Sequence, residues 1–132
     1  MDSVFDSDVI EEIRDDATWA EKVDNVPGPV MVEFFVTWCP HCQREAPILD
    51  DIAPTIMKDG VQVYHANAEV MWDKGEVYGL EETPSFILVK NGELVAEHEG
   101  FLTEDELVAF SQGKINDLTP SINQSLSSLL SR

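Results

Sequence analysis

Basic residues are scarce in this sequence. Its 132 residues include 8 Lys or Arg against 26 Asp or Glu, so the formal net charge is −18. A protein with this charge repels polyanions, which makes nucleic acid and anionic membrane surfaces poor partners. The acid excess favours solubility, and it also suggests the hypothesis of adaptation to a salty cytoplasm.

Long apolar runs are absent as well. No run approaches the roughly 20 residues that a membrane-spanning helix needs. Residues 1–8 carry no basic residue and no apolar core segment, so we interpret them as a polar arm and not as a secretory signal. These patterns predict a cytoplasmic protein without a membrane partner. The length and the 43 % hydrophobic share predict one folded domain, which we expect to be a monomer.

Cysteine is the third scarce residue, because only Cys39 and Cys42 are present. A structural zinc site usually takes four ligands. His41, His65 and His98 are the other candidates, with no matching second pair, so we predict no metal site. Inert buried cysteines and half of a zinc site remain alternatives. A lone C-x-x-C beside a strand–helix–strand pattern favours a redox dithiol.

An apolar segment precedes the two cysteines. Val30–Val36 is rich in β-branched and aromatic residues, which is typical of a strand covered on both faces. Glu33 interrupts this segment. A carboxyl group buried there would have a raised pKa and could exchange protons near neutral pH. The alternative is an acid at the strand edge that points to water.

The cysteine pair is predicted to begin a helix. Cys39 would lie at the helix N-terminus, where free N–H groups and the helix dipole stabilise a thiolate. Pro40 suits the first helical turn, and His41 can add positive charge or a hydrogen bond beside Cys39. Cys42 is one turn further in, so we expect it to be shielded and to resolve a mixed disulfide.

The rest of the chain alternates helices and strands. Val9–Arg14 is ambiguous between helix and strand, and Trp72 and Phe35 are assigned to packing. The first predicted elements are a helix over 15–23 and a helix from Cys39 to about Met57, whose residues Ile48, Leu49, Ile52 and Ile56 face the sheet. They are followed by a strand over Val61–Asn67, a helix over Glu69–Tyr78, and a hairpin of Ser85–Val89 and Glu93–Glu99 around Asn91-Gly92. The last predicted element is a helix that is capped by Thr103 and Glu106 and buries Leu107, Phe110 and Ile115.

Three segments together resemble the thioredoxin family. They are Val30–Pro47 with its Trp-Cys-x-x-Cys motif, Pro47–Ala53 with the proline of the active-site helix, and Thr83–Glu93 with a proline that faces the dithiol. The resemblance covers roughly residues 9–115. It implies an α/β thioredoxin fold, a central mixed β-sheet flanked by helices. We therefore predict a polar arm over 1–8, the domain over 9–115, and a C-terminal extension over 116–132 with a short amphipathic helix.

The resemblance also implies roles for single residues near the dithiol. Glu33 matches the buried acid, usually Asp, that relays a proton to and from Cys42. His65 lies where the family often has a lysine, so a titrating imidazole could tune Glu33, although an ordinary buried or surface histidine is the alternative. Trp38 is expected to shield the disulfide and to contact substrates.

The same resemblance places substrate contacts on a second loop. The Thr83–Pro84 bond is expected to be cis, which would let the Thr83 backbone bind an extended substrate chain as an added strand. Gly100 is expected to allow close approach on this surface.

The implied reaction is thiol–disulfide exchange with protein substrates, which needs no metal or organic cofactor. We expect a thioredoxin reductase as the electron donor. Cys-Pro-His-Cys departs from the Cys-Gly-Pro-Cys of reducing thioredoxins and matches the bacterial periplasmic disulfide oxidase, but this chain has no room for the helical insertion of that family. A reductant with a raised potential is therefore preferred. A disulfide-forming or isomerising enzyme is the alternative, and a non-enzymatic binding adaptor is a further rival.

Overall fold

The computed structural model describes residues 3–117. Five strands and four α-helices alternate along these residues. They are β1 (Glu11–Glu12), α1 (Asp16–Trp19) continued by a π-helical segment (Ala20–Asp24), β2 (Pro29–Phe35), α2 (Pro40–Lys58), β3 (Gln62–Asn67), α3 (Trp72–Val77), β4 (Ser85–Lys90), β5 (Glu93–Glu99) and α4 (Glu104–Ser111).

The strands form one mixed sheet in the order β1-β3-β2-β4-β5. β3 runs parallel to both β1 and β2, whereas β4 runs antiparallel to β2 and β5. α2 supplies the crossover between the parallel strands β2 and β3, which is the connection that such strands require. This architecture confirms the predicted α/β fold with a central mixed sheet.

The central strand β2 contributes to both faces of the core. Its alternate residues Val30, Val32 and Phe34 pack in one cluster with Trp19, on the side of α1 and α3. Met31 packs in the opposite cluster with residues of α2 and α4. Since side chains alternate along a strand, Glu33 faces the same side as Met31. The fold therefore directs the Glu33 side chain towards α2.

The long helix α2 begins directly after Cys39 and ends at Lys58, close to the predicted end. It continues through Pro47 and Pro54. Its residues Leu49, Ile52 and Ile56 are buried as predicted, and Ile48 packs on them while half-buried. The helix is therefore fixed to the sheet by one apolar stripe.

The β4–β5 hairpin follows the predicted two-residue turn. Asn91 and Gly92 have positive φ angles of 54° and 82°, the conformation that Asn-Gly turns supply. At Gly92 there is no room for a side chain, because a Cβ would lie 2.7 Å from the carbonyl oxygen of Asp24. The hairpin turn thus also packs on the segment that follows α1.

Two elements are shorter than the sequence indicated. The ambiguous segment 9–14 contributes only the two-residue strand β1, and its side chains Ile10 and Ile13 pack in the clusters of α2 and of α1 respectively. The helix predicted over Glu69–Tyr78 is reduced to α3 at Trp72–Val77. No helix among residues 3–117 is long and apolar enough to cross a membrane.

The predicted C-terminal extension is described only in its first two residues. Asn116 donates through Nδ2 to the carbonyl oxygen of Val95 at 3.2 Å. The backbone N–H of Asp117 donates to the carbonyl oxygen of Glu97 at 2.7 Å. The chain therefore leaves α4 along β5. The amphipathic helix predicted for the extension lies outside the described residues.

The capping box of α4 supports a first prediction. Thr103 Oγ1 accepts from the Glu106 N–H at 3.3 Å, and the Thr103 N–H donates to Glu106 Oε1 at 2.9 Å. We expect Thr103→Ala to lower the free energy of unfolding by about 1 kcal/mol, because the helix loses its N-cap. Urea unfolding would measure this loss. Thr55→Ala, at an exposed position of α2, is the control and should cost nothing; equal losses in both variants would contradict the assignment.

Candidate active site

The two cysteines lie at the corner between the end of β2 and the start of α2. Cys39 is the N-cap of α2, and its Sγ accepts a hydrogen bond from the Cys42 N–H at 3.2 Å. Pro40 occupies the first turn of the helix. Both cysteines are free thiols, and Cys42 is the more deeply buried of the two. The predicted order of an outer and an inner sulfur is therefore present.

The two thiols differ in acidity. Burial raises the pKa of Cys39, but hydrogen bonds from the side chain and backbone of Cys42, from Thr83 and from the His41 backbone outweigh it, so the net pKa is lowered. Burial raises the pKa of Cys42 to about 12, and its hydrogen bond with Cys39 adds to this. The thiolate is the reactive form, so the lowered pKa makes Cys39 the better suited of the two sulfurs to act as a nucleophile.

The loop before β4 lies against Cys39. The Thr83–Pro84 peptide bond is cis, as the resemblance implied. In its thiol form Cys39 donates to the carbonyl oxygen of Thr83 at 3.4 Å. The Gly100 N–H donates to the Pro84 carbonyl oxygen at 2.8 Å. Gly100 has a φ of 114°, a backbone conformation that favours glycine. A glycine therefore suits this position because of its backbone conformation.

An apolar groove begins beside the dithiol. Trp38 is 71 % exposed and forms part of its wall. Its Nε1 donates to Glu69 Oε1 at 2.9 Å, which holds the indole outward. Trp72 is 60 % exposed and lines the same groove, so assigning it to packing was wrong. The groove has a volume of about 290 Å³ and is also lined by Phe34, Val36, Ala68, Gly75, Glu76, Leu80, Glu81, Glu82, Thr83 and Ser85.

Glu33 is buried beneath the dithiol. Its side chain is 1 % exposed, so the alternative of a strand-edge acid in water is wrong. Burial raises the pKa of Glu33 well above its usual range, and the nearby charges of Glu45 and Cys39 raise it further. Its Oε2 has no hydrogen-bond partner among the described residues. Burial therefore favours the neutral carboxyl group over the carboxylate.

His65 lies beside Glu33 on the neighbouring strand. The two residues are register partners between β2 and β3, and both line a narrow cavity of about 10 Å³ with Asp50. The His65 ring lies 4.9 Å from the ring of Phe35. Burial lowers the pKa of His65 to about 4, although Asp50 and Asp6 oppose this. The imidazole is thus neutral near pH 7, which does not support a titrating partner for Glu33.

His41 is placed differently from the expectation. Its side chain is exposed, and Nδ1 lies 3.5 Å from Nη1 of Arg44. After the hydrogen bonds from Cys42 and Thr83, the backbone N–H of His41 makes a further contribution to the lowered pKa of Cys39. Within residues 3–117, no three His, Cys, Asp or Glu side chains are grouped so that they could hold a metal ion.

Glu45 is the buried acid that the sequence reading missed. Its side chain is 0 % exposed, and Oε1 accepts from the Leu102 N–H at 2.7 Å. Burial raises its pKa to about 7, although that hydrogen bond and Arg44 oppose the shift. A signal was present in the sequence, since Glu45 precedes Leu49, Ile52 and Ile56 at helical spacing on the buried stripe of α2.

A comparison with protein families matches residues 10–112 to the thioredoxin family. The chain belongs to the thioredoxin family. Members of this family are disulfide oxidoreductases that act through a cysteine pair. The matched range contains the whole of the described site, from Glu33 to Leu102.

Individual thioredoxins agree with this assignment. The thioredoxin of Pseudomonas aeruginosa is 31 % identical over 100 residues, which cover 76 % of this chain and 92 % of that protein. The chloroplastic thioredoxin Y1 of Arabidopsis thaliana is 38 % identical over 84 residues, covering 64 % of this chain. This chain spans about half the length of that relative, 48 %. The structure of the Malassezia sympodialis thioredoxin Mala s 13 matches with a TM-score of 0.70 at 22 % identity, covering 78 % of this chain and 88 % of that one, and supports the fold.

The acidity difference between the two thiols yields a second prediction. We expect iodoacetamide at neutral pH to alkylate Cys39 and to leave Cys42 unmodified, because only Cys39 has a lowered pKa. Both cysteines lie in one tryptic peptide, 23–44, so fragmentation of this peptide by tandem mass spectrometry would locate the label. The unfolded protein, in which both thiols should react, is the control. Equal labelling of both cysteines in the folded protein would contradict the assignment.

Proposed function

We propose that this protein exchanges disulfides with protein substrates through Cys39 and Cys42. The observation that carries the proposal is the asymmetry of the pair: the pKa of Cys39 is lowered at the N-terminus of α2, while that of the buried Cys42 is about 12. Cys39 is thereby suited to attack the substrate first, and Cys42 to react in the later step. Such a division suits a two-step exchange.

The exchange begins at Cys39. Its thiolate attacks one sulfur of a substrate disulfide, forms a mixed disulfide and releases the first substrate thiolate. Cys42 then attacks the Cys39 sulfur, the bond between Cys39 and the substrate breaks, and the second substrate thiolate leaves. The Cys42 proton passes to Glu33 when that carboxyl group is ionised. Two electrons have moved from the dithiol to the substrate, and no cofactor takes part.

Substrate binding is proposed for the surface around the dithiol. The Thr83 backbone beside the cis-Pro84 would pair with an extended substrate segment, and Gly100 borders the same surface. The adjacent groove, with its indole walls Trp38 and Trp72, would take an apolar side chain. Its rim includes Glu76, Glu81 and Glu82, and none of its lining residues among those described is Lys or Arg. A segment that combines an apolar residue with basic neighbours therefore fits best.

In the proposed direction, the protein reduces its substrates in the cytoplasm and acts as a monomer. A thioredoxin reductase then reduces the Cys39–Cys42 disulfide again. Membership of the thioredoxin family supports this direction. The lowered pKa of Cys39 stabilises the reduced form, which favours a raised potential. The disulfide-forming enzyme with the Cys-Pro-His-Cys sequence is therefore the second candidate.

Trapping and a potential measurement test this function. We expect Cys42→Ser to accumulate a mixed disulfide with a disulfide-bonded substrate protein, because the second step is removed, while Cys39→Ser forms none. Non-reducing gel electrophoresis would show both. Equilibration of the wild type in glutathione buffers gives the potential. A value near that of thioredoxin, about −270 mV, supports a reductant, and one near about −120 mV supports the oxidase.

A failure of the dithiol to close and reopen in these buffers would refute the exchange function altogether. Activity that persists in Cys39→Ser would instead revive the binding adaptor.

The acidic rim of the groove yields a fourth prediction. Two disulfide-linked peptides would be compared that share one apolar residue and differ only in flanking Lys or Glu. We expect the Lys peptide to be reduced about threefold faster or more at low salt, because charge complementarity raises the association rate. Stopped-flow kinetics would measure the ratio, which high salt should reduce.

Glu81→Gln and Glu82→Gln together should lower this ratio. Glu104→Gln, an exposed acid on α4, is the matched control and should leave it unchanged. A ratio near one in the wild type would refute the basic substrate class without affecting the exchange reaction.

A further inference from the structure

Two carboxyl groups share the interior beneath the dithiol. Glu33 of β2 and Glu45 of α2 are 1 % and 0 % exposed. Each has an Oε2 atom without a hydrogen-bond partner among the described residues. Burying a carboxyl group is costly unless it is well paired, and an apolar residue at position 45 would complete the buried stripe of α2. A second acid there therefore calls for a functional explanation.

Glu45 also connects α2 to the loop between β5 and α4. Its Oε1 accepts from the Leu102 N–H at 2.7 Å. The guanidinium group of Arg44 lies 4.3 Å from the centre of the Phe101 ring. Two consecutive residues of the active-site helix thus hold two consecutive residues of this loop. The next residue back is Gly100, whose N–H binds the carbonyl oxygen of Pro84.

We propose that Glu45 is a positioning residue for disulfide exchange, which fixes the loop between β5 and α4 at Leu102 and, through its charge on Glu33, decides when Glu33 can accept the proton of Cys42. This inference rests on the exchange function proposed above. It assigns Glu45 no contact with the reacting sulfurs. The residue acts through Glu33 and through the backbone of Leu102.

The two acids differ in the partners that stabilise their charged forms. Burial raises the pKa of Glu45 to about 7 and Glu106 of α4 adds to this, while the Leu102 N–H and Arg44 stabilise its carboxylate. Its negative charge then opposes the ionisation of Glu33 and raises the pKa of that group. The pKa values of two acids in one buried site are driven apart in this way.

Other charges face Glu33 as well. The Cys39 sulfur raises the pKa of Glu33 from the α2 side. His65 of β3 and Asp50 of α2 line the cavity beside it, and His65 is neutral near pH 7. Removing the charge at position 45 should therefore let Glu33 ionise at lower pH, which moves the resolving step to lower pH.

The resolving step can be isolated in a stopped-flow experiment. The reduced protein is mixed with excess 5,5′-dithiobis(2-nitrobenzoic acid), so that Cys39 forms a mixed disulfide with thionitrobenzoate. The later release of the second thionitrobenzoate, at a rate independent of reagent concentration, reports the attack by Cys42. We expect this rate to rise with pH through the ionisation of Glu33. Glu33→Gln should slow it and remove this pH dependence.

Glu45→Gln is the deciding variant, because it removes the charge and keeps an acceptor for the Leu102 N–H. We expect the midpoint of the rate profile to move down by about half to one pH unit. Asp51→Asn removes an exposed charge from the same helix and should leave the midpoint in place. An unmoved midpoint in Glu45→Gln, or an equal shift in Asp51→Asn, would overturn the proposal.

A second measurement tests the contact with the loop. We expect Glu45→Gln to preserve slow hydrogen exchange of the Leu102 N–H and Glu45→Leu to accelerate it about tenfold or more, since only the Leu variant lacks an acceptor. Unchanged exchange in Glu45→Leu would refute the positional half of the proposal. If Glu45→Leu fails to fold, ¹³C titration of the Glu33 carboxyl group in the wild type and in Glu45→Gln decides the electrostatic half of the proposal. The proposal predicts a lower titration midpoint in Glu45→Gln. An unmoved midpoint would refute it.

These outcomes separate this inference from the exchange function. If the wild type shows no concentration-independent phase, the exchange function itself fails. If the wild type and Glu33→Gln behave as expected while Glu45→Gln matches the wild type, the exchange function stands and the role of Glu45 is refuted.

Discussion

The packing of α2 on the sheet is the contact on which the site depends. Leu49, Ile52 and Ile56 are buried in the same cluster as Met31 of β2. Burial of this stripe fixes both the position and the rotation of the helix. The rotation that buries Leu49 also buries Cys42, while the N-terminal tip of the helix keeps Cys39 near the surface. The raised pKa of Cys42 is thus a consequence of this packing, whereas hydrogen bonds at the helix tip lower the pKa of Cys39.

The same packing determines the electrostatics of the interior. Desolvation is the largest contribution to the raised pKa values of Cys42, Glu33 and Glu45 and to the lowered pKa of His65. In each case the neutral form is favoured because the charged form has lost its water. Cys39 is the exception, since hydrogen bonds at the helix tip outweigh its burial. One sulfur can therefore be charged in a site whose other groups favour the neutral form.

On the protein surface, the charged residues and the apolar groove also occupy different areas. The net charge of −18 is spread over an exterior that surrounds an apolar groove with two exposed indole rings, Trp38 and Trp72. Charges at the rim act over about one Debye length, roughly 8–10 Å at ordinary salt, so they influence the approach of a substrate more than its final packing. In the proposed function, the rim acids Glu76, Glu81 and Glu82 select the substrate without contact with the sulfurs, while Thr83 belongs both to the groove and to the surroundings of Cys39.

Local sequence patterns were sufficient for a substantial part of this protein. The C-x-x-C pair at a helix start, the Asn91-Gly92 turn and the Thr103 capping box each depend on residues close together in the chain. The resemblance of separate motifs then supplied the fold and the cis bond before Pro84. The boundaries of β1 and α3 were predicted less well, because these elements are short and depend on distant partners.

What only the tertiary structure decided is the environment of each side chain. The burial of Glu45 and the neutrality of His65 arise from contacts with elements remote in sequence, whereas Trp72 stays 60 % exposed in the groove. The helical spacing of Glu45 with the buried stripe of α2 indicated its burial, but only the folded structure shows its contact with Leu102 and its influence on Glu33. The sequence by itself therefore determined the titratable groups and the helices and strands that carry them. The folded structure determined how far each group is exposed to water, and this exposure sets its charge.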